Sequence, residues 1–340
     1  MTTKKKINLA LQGGGAHGAF TWGVLDKFLE KELFVIDGIS ATSAGSMNAV
    51  VLAQGLLEGG NQGARQLLYE FWQAMSDFGK MFGITATSPV DIYLEPFLKS
   101  PLNFSMFNTI IGSLSPYQFN PINFHPIQEV LNTIIDIEKI KKQSNVKLFI
   151  CATNVRTGKI RVFNEEELTL DAVLASACLP KLFHAVEIEG EFYWDGGYLG
   201  NPAIFPLIYN TKCRDILVVH TIPDFRENIP MTVAEIDMRL REISFNSSLM
   251  REMRAIAFVS QLINKGVIKK EFKHTLKKLN MHCIKADKSM SNFPLSTVYN
   301  PDWDFLITLR DLGRQKADKW LEKNYAAIGK KTTINFDDWL

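Results

Sequence analysis

Cysteine is scarce in this sequence. The four that occur, Cys151, Cys178, Cys213 and Cys283, lie far apart and form no CxxC pair. This argues against a disulfide framework and against a cysteine-built zinc site, and it fits a reduced intracellular chain. An excess of one charge is also missing, since 38 Lys and Arg against 36 Asp and Glu leave a net charge of +2. No block of like charge stands out beyond local lysine clusters, which speaks against nucleic acid as a partner. No hydrophobic run is long enough to span a bilayer. Residues 1–11 imitate a signal peptide, but the apolar run breaks at Gln12, so residues 7–11 read as a first buried strand. The expected location is the cytoplasm or the periphery of a membrane.

The 340 residues are 46% hydrophobic, enough for a large core in one big α/β domain or two smaller ones. The densest signal is residues 35–50. Val35-Ile36 leads into small residues around Ser43, and Met47 and Ala49–Ala53 continue as a buried helix. A serine on a sharp strand-to-helix turn with small neighbours at −2 and +2 is a nucleophile elbow. Gly45 occupies +2, and Ala41 stands at −2, where glycine is more usual. The plainer reading is a small-residue turn opening a packed helix.

Ile7–Leu11 runs into Gln12-Gly13-Gly14-Gly15-Ala16-His17-Gly18, and Ala19–Leu29 follows as a helix. Side-chain-free backbone at such a turn can aim several N–H groups at one oxygen. Gly13, Gly15 and Gly18 also match GxGxxG, and Asp37 lies about twenty residues on, so a dinucleotide site is a rival here. Against it, Asp37 runs straight into the Ser43 elbow, which nucleotide binding does not need. Together the Gly loop and the elbow supply an oxyanion hole and a nucleophile from adjacent strand ends.

Residues 51–78 read as a helix pair joined around Gly59–Gly63. Residues 79–128 crowd prolines with aromatics and read either as an apolar lid over Ser43 or as irregular packing. Val146–Thr153 and Ile160–Asn164 read as strands, Asp171–Ser176 as a short helix, and Ala185–Ile188 with Phe192–Trp194 as a hairpin. The hairpin delivers Asp195-Gly196-Gly197 at a strand end. A generic Asp-Gly turn would account for that motif alone, but beside an elbow and a Gly loop Asp195 becomes the candidate base. Ile216–His220 is a further strand. Residues 229–282 read as mostly helical, with Ile268, Phe272, Leu276 and Leu279 on one face and lysines around them. That face fits either a solvated helix or a membrane-surface one. Residues 303–325 form a last helix, and the tail after Gly329 reads as peripheral.

The three ordered motifs, 13–18, 41–45 and 195–197, with Ala175-Ser176 and Pro180 between the last two, resemble the patatin-like phospholipase family over about Ile7–Pro206. Ala41 departs from its usual glycine. The resemblance implies a three-layer α/β/α fold with a central, mostly parallel sheet plus a helical C-terminal region. It divides the chain into a catalytic domain, 1–225, with 79–128 as the lid or insertion, and a helical extension, 226–340. It also implies a lipid acyl hydrolase of the phospholipase A or lysophospholipase type, in which Ser43 is the nucleophile and Asp195 takes its proton. Gly13, Gly14 and Gly15 would hold the oxyanion, and no metal or organic cofactor is needed. The substrate would be a lipid, met at a membrane surface; a homodimer and an activating protein partner stay open. Competing readings are a Ser-His-Asp esterase or acyltransferase using His184 or His220, a dinucleotide-binding protein, and a scaffold with a dead site.

Overall fold

The computed structural model describes residues 4–81, 114–267, 276–291 and 293–339. Among these, eight strands form one sheet. They are β1 (Lys5–Leu11), β2 (Phe34–Ala41), β3 (Lys147–Asn154), β4 (Ile160–Phe163), β5 (Val186–Ile188), β6 (Glu191–Asp195), β7 (Asp215–His220) and β8 (Asn280–Lys285). The order is β5-β6-β3-β2-β1-β7-β8, with β4 paired to β3. The run from β3 to β8 is parallel; β4, β5 and β6 pair antiparallel.

The alternation of side chains along a strand builds the layers. Ile7, Leu9 and Leu11 of β1, with Leu217 and Val219 of β7, join the core made by α1 (Gly18–Lys31), α2 (Ala44–Met81) and a late helix at Trp303–Asn324. Ala10, Ile216 and Val218 point the other way, into a core with Leu207, Leu249, Met253 and Trp339. Both faces are covered, so the central strands are mostly apolar, as parallel sheets require, and the buried exceptions Asn8 and Ser40 are hydrogen-bonded, to Thr211 and to Ala203 O. The result is a three-layer α/β/α sandwich. No helix of the described residues is long and apolar enough to cross a membrane.

α2 breaks at Gly59–Gly60, where Gly60 takes a φ of +58°, so the expected helix pair is there. Residues 82–113, most of the expected lid, lie outside the described residues, as do 268–275 of the expected basic helix. Leu276–Leu279 is not helical but leads into β8. β8 itself corrects the helical reading of that stretch. The tail is also not peripheral, because Trp339 is buried edge-on against His220.

Gly23 of α1 and Gly313 of the late helix let the two backbones touch. A Cβ on Gly23 would collide with Arg310 O, and one on Gly313 with Phe20 O. Gly313→Val should lower stability by about 3 kcal/mol through overpacking, read as a lower urea midpoint. A wild-type midpoint would contradict this packing.

Candidate active site

β2 ends at Ala41, and Thr42 and Ser43 carry the chain into α2. Ser43 takes a φ of +54°, a left-handed conformation that costs a non-glycine residue on the order of 1 kcal/mol or more. Its surroundings hold it there. Ser43 N–H donates to Ser176 Oγ (2.9 Å), and its carbonyl accepts Ser46 N–H at 2.8 Å. The Thr42 hydroxyl donates to Gly200 O at 2.5 Å. Gly45 is forced by space, since a Cβ there would strike Leu11 O. Ala41 is an extended, fully buried strand residue paired with Leu11 and Ile150, a backbone alanine adopts without strain.

The four candidate loop glycines do different things. A Cβ on Gly13 would stand 2.6 Å from Ser43 Cβ, so glycine lets the loop lie against the elbow. Gly13 N–H is already donated to Asn201 Oδ1 at 2.7 Å. The N–H groups of Gly14 and Gly15 meet no acceptor among the described residues. Gly18 packs on Ala44 and Trp72, and its N–H is spent on Gly15 and Ala16 carbonyls. Gln12 anchors the loop from below. Its Oε1 accepts Thr221 N–H (2.7 Å) and Ile222 N–H (2.9 Å), and its Nε2 donates to Asn246 Oδ1 (2.8 Å). His17 is buried 2.8 Å from Thr297 Oγ1. Burial, then the Arg226 charge, push its pKa down to about 3, so the ring is neutral.

Asp195 closes β6. Its N–H donates to Cys178 O at 2.8 Å, and its carbonyl accepts the Thr153 hydroxyl at 2.9 Å. Gly196 presses the turn onto Cys151 O and the Thr42 methyl, and Gly197 sits under the Phe245 ring. The carboxyl is fully buried. Oδ1 accepts Gly197 N–H at 2.7 Å, while Oδ2 has no hydrogen bond of good geometry among the described residues. Burial pushes its pKa up to about 7, against the pull of Gly197 N–H, the Ser43 hydroxyl and the Arg241 charge. The turns that carry Gly13, Ser43 and Asp195 thus meet at the ends of β1, β2 and β6.

The rival residues are engaged elsewhere. His184 stacks on Tyr117 and lies 3.1 Å from Pro116 O. His220 Nε2 lies 3.2 Å from Asp224. Neither hydrogen-bonds Ser43. Asp37 sits four residues before the end of β2, and its oxygens accept from Lys6 Nζ and from the N–H groups of Lys212 and Cys213. Burial raises its pKa, but those bonds together hold it below the usual value.

Sequence reasoning expected a helix within 229–282 but missed that one face of it supports the site. One face of α6 (Val233–Asn264, counting Pro126–Ile134, Leu170–Ser176 and Phe205–Asn210 as α3, α4 and α5) carries Phe245, Asn246, Ser248 and Glu252. Ser248 Oγ accepts Asn201 N–H at 3.1 Å, and Glu252 accepts Ile204 and Phe205 N–H at 2.9 and 2.8 Å. Phe245, Ser248 and Glu252 stand at i, i+3 and i+7, a helix-face signal that could have been read. Asn201, which accepts Gly13 N–H and donates its own N–H to Ser248, was the other omission.

A family model described as patatin-like phospholipase matches residues 9–208. No curated protein matches. Among solved structures the chain is similar to VipD from Legionella pneumophila, at 16% identity and a TM-score of 0.41, over 94% of this chain and 67% of that one. It is also similar to the type III effector protein ExoU, at 16% and 0.35, over 93% and 53%. ExoU in complex with SpcU, from the type III secretion system of Pseudomonas aeruginosa, gives 16% and 0.36, over 95% and 53%. The chain therefore spans about half the length of ExoU.

Asp195 carries a stability consequence independent of any reaction. Its folded pKa lies above the ordinary 3.8, so its contribution is fully present below that value and is lost as pH rises through about 7. Asp195→Asn loses nothing over that range. The variant should therefore gain stability relative to wild type between pH 5 and pH 8, read as urea midpoints of both proteins at both pH values. An unchanged difference would contradict the burial of an ionisable carboxyl.

Proposed function

The chain belongs to the patatin-like phospholipase family, and from that premise we propose that it is a lipid acyl hydrolase of the phospholipase A or lysophospholipase type, working through Ser43 and Asp195. One observation carries the assignment: Ser43, held at positive φ on a strand-to-helix turn, lies beside a fully buried carboxyl whose pKa lies near 7. Burial places a base near neutrality, where it can take and return a proton.

In this reading Asp195 takes the Ser43 proton as Oγ attacks the ester carbonyl. The N–H groups of Gly14 and Gly15 receive the oxyanion. Asp195 returns the proton to the departing lysophospholipid or alcohol. Water, deprotonated by Asp195, then attacks the acyl-enzyme, and Asp195 returns that proton to Ser43 Oγ as the acyl–Oγ bond breaks and the fatty acid leaves. The Gly13–Asn201 bond gives Gly13 a different part, holding the loop in place. We further propose that residues 1–225 carry the reacting groups. Residues 226–340 then act from behind, since α6 and the segment around Thr297 brace the two loops.

The Ser-His-Asp alternative has less support, because His184 and His220 are bound elsewhere. The dinucleotide alternative lacks a free Asp37.

Hydrolysis of phosphatidylcholine and lysophosphatidylcholine tests the assignment. Ser43→Ala and Asp195→Asn should each lose about 10³-fold or more in kcat, whereas His184→Ala should keep its rate. The carboxylate is the active form of Asp195, so kcat/KM should rise with pH up to about 7 and then level. A Ser43→Ala protein that still turns over, or a rate that falls across that range, would overturn the reading.

A further inference from the structure

α6 carries apolar side chains on two opposite faces, those of the inner face mixed with the polar groups that hold the site. The inner face holds the loops of the site. On the outer face Val233, Ile236, Leu240 and Ile243 stand at i, i+3, i+7 and i+10, one stripe of a helix with 3.6 residues per turn. All four are exposed, Leu240 at 59%. The loop leading into the helix continues this surface with Ile229 and Met231, exposed at 80% and 83%. Single exposed apolar residues need no explanation, but a continuous ridge of large ones does.

The ridge is not isolated. Asp237, on its flank, pairs with Lys181 at 3.9 Å. Lys181 belongs to the loop that runs from Cys178, whose carbonyl takes Asp195 N–H, to His184 and Ala185. That loop holds the 116–124 turn through the Tyr117–His184 stack and through Ala185 N–H, which donates to the Tyr117 hydroxyl at 3.1 Å. This turn exposes Phe119 and Ile122, the latter at 84%. Two apolar projections are therefore each tied to the loop that supports Asp195. Further along α6 the same face carries the exposed Arg251 and Arg254, the first eighteen residues, or five turns, after Val233, with the exposed Phe258 beyond them. An apolar stripe passing into cations on one helix face suits the boundary between acyl chains and head groups.

We propose that the α6 ridge and the 116–124 turn form the surface by which the protein seats on a lipid bilayer. The proposal rests on the reading of the site as a lipid acyl hydrolase. Seating this surface places the bilayer about one helix diameter, ~10 Å, from the loops that the other face of α6 braces. A second copy of the chain is the competing occupant, and the test separates the two.

The Ser43→Ala protein, which leaves lipid intact, is sedimented with phosphatidylcholine vesicles, with and without phosphatidylglycerol. The same measurement is made with Ile229→Glu/Leu240→Glu and with Ile122→Glu added. Binding to both vesicle types is expected, stronger with phosphatidylglycerol, and each set of charges should weaken partitioning by about tenfold or more. With Ser43 restored, the charged variants should hydrolyse a soluble butyrate ester within about twofold of wild type while losing vesicle hydrolysis in parallel with binding. Charged variants that partition like the parent overturn the proposal. So does a parent that ignores vesicles but forms a dimer that Ile229→Glu/Leu240→Glu dissociates. A wild type that binds vesicles yet leaves the soluble ester intact counts against the hydrolase reading and not against the surface.

Discussion

Backbone meets backbone at each junction of the site, and that closeness governs the rest of the structure. Gly45 lies on Leu11 O, Gly196 on Cys151 O, and Gly13 on Ser43. Each contact is too short for a side chain. They draw the turns after β1, β2 and β6 into one place, although β6 runs antiparallel to β3 and arrives from the other direction. Ligand sites in open α/β sheets gather at such strand ends. Here the gathering depends on a few glycines whose replacement would force whole loops apart.

The site so formed is unfavourable to its own residues. It holds a serine at positive φ and a carboxyl fully buried from the surface. Both costs are local, and the surrounding scaffold absorbs them. Ser176 and the first turn of α2 hold Ser43. Gly197, Thr153 and Cys178 hold Asp195. α6 stands behind the Gly loop and the Asn201 turn, using polar side chains where a packed helix ordinarily uses apolar ones. A family defined over residues 9–208 thus relies, in this chain, on residues well beyond that span.

Much of this was legible in the sequence. The strands leading to the site are rich in apolar residues and run into glycine or small residues, and a buried parallel sheet writes itself that way. The elbow, the Gly loop and Asp195 were legible because each needs residue types that sterics restrict. The supporting polar groups were not. Asn246, Ser248 and Glu252 look like solvent-facing positions until their acceptor duties are known. β8 was hidden for a related reason. Its Asn280 and His282 break the apolar pattern, yet both are buried because each bonds the Asp215 carboxylate. Trp339 was dismissed with the tail because nothing local shows that His220 lies beneath it.

Covalent labelling by a fluorophosphonate, located by mass spectrometry of peptides, tests the central claim most directly. The account predicts one adduct, on Ser43, formed by the wild type and not by Asp195→Asn. An adduct on another residue, or equal labelling of Ser43 when Asp195 is replaced, would contradict the pairing of the two.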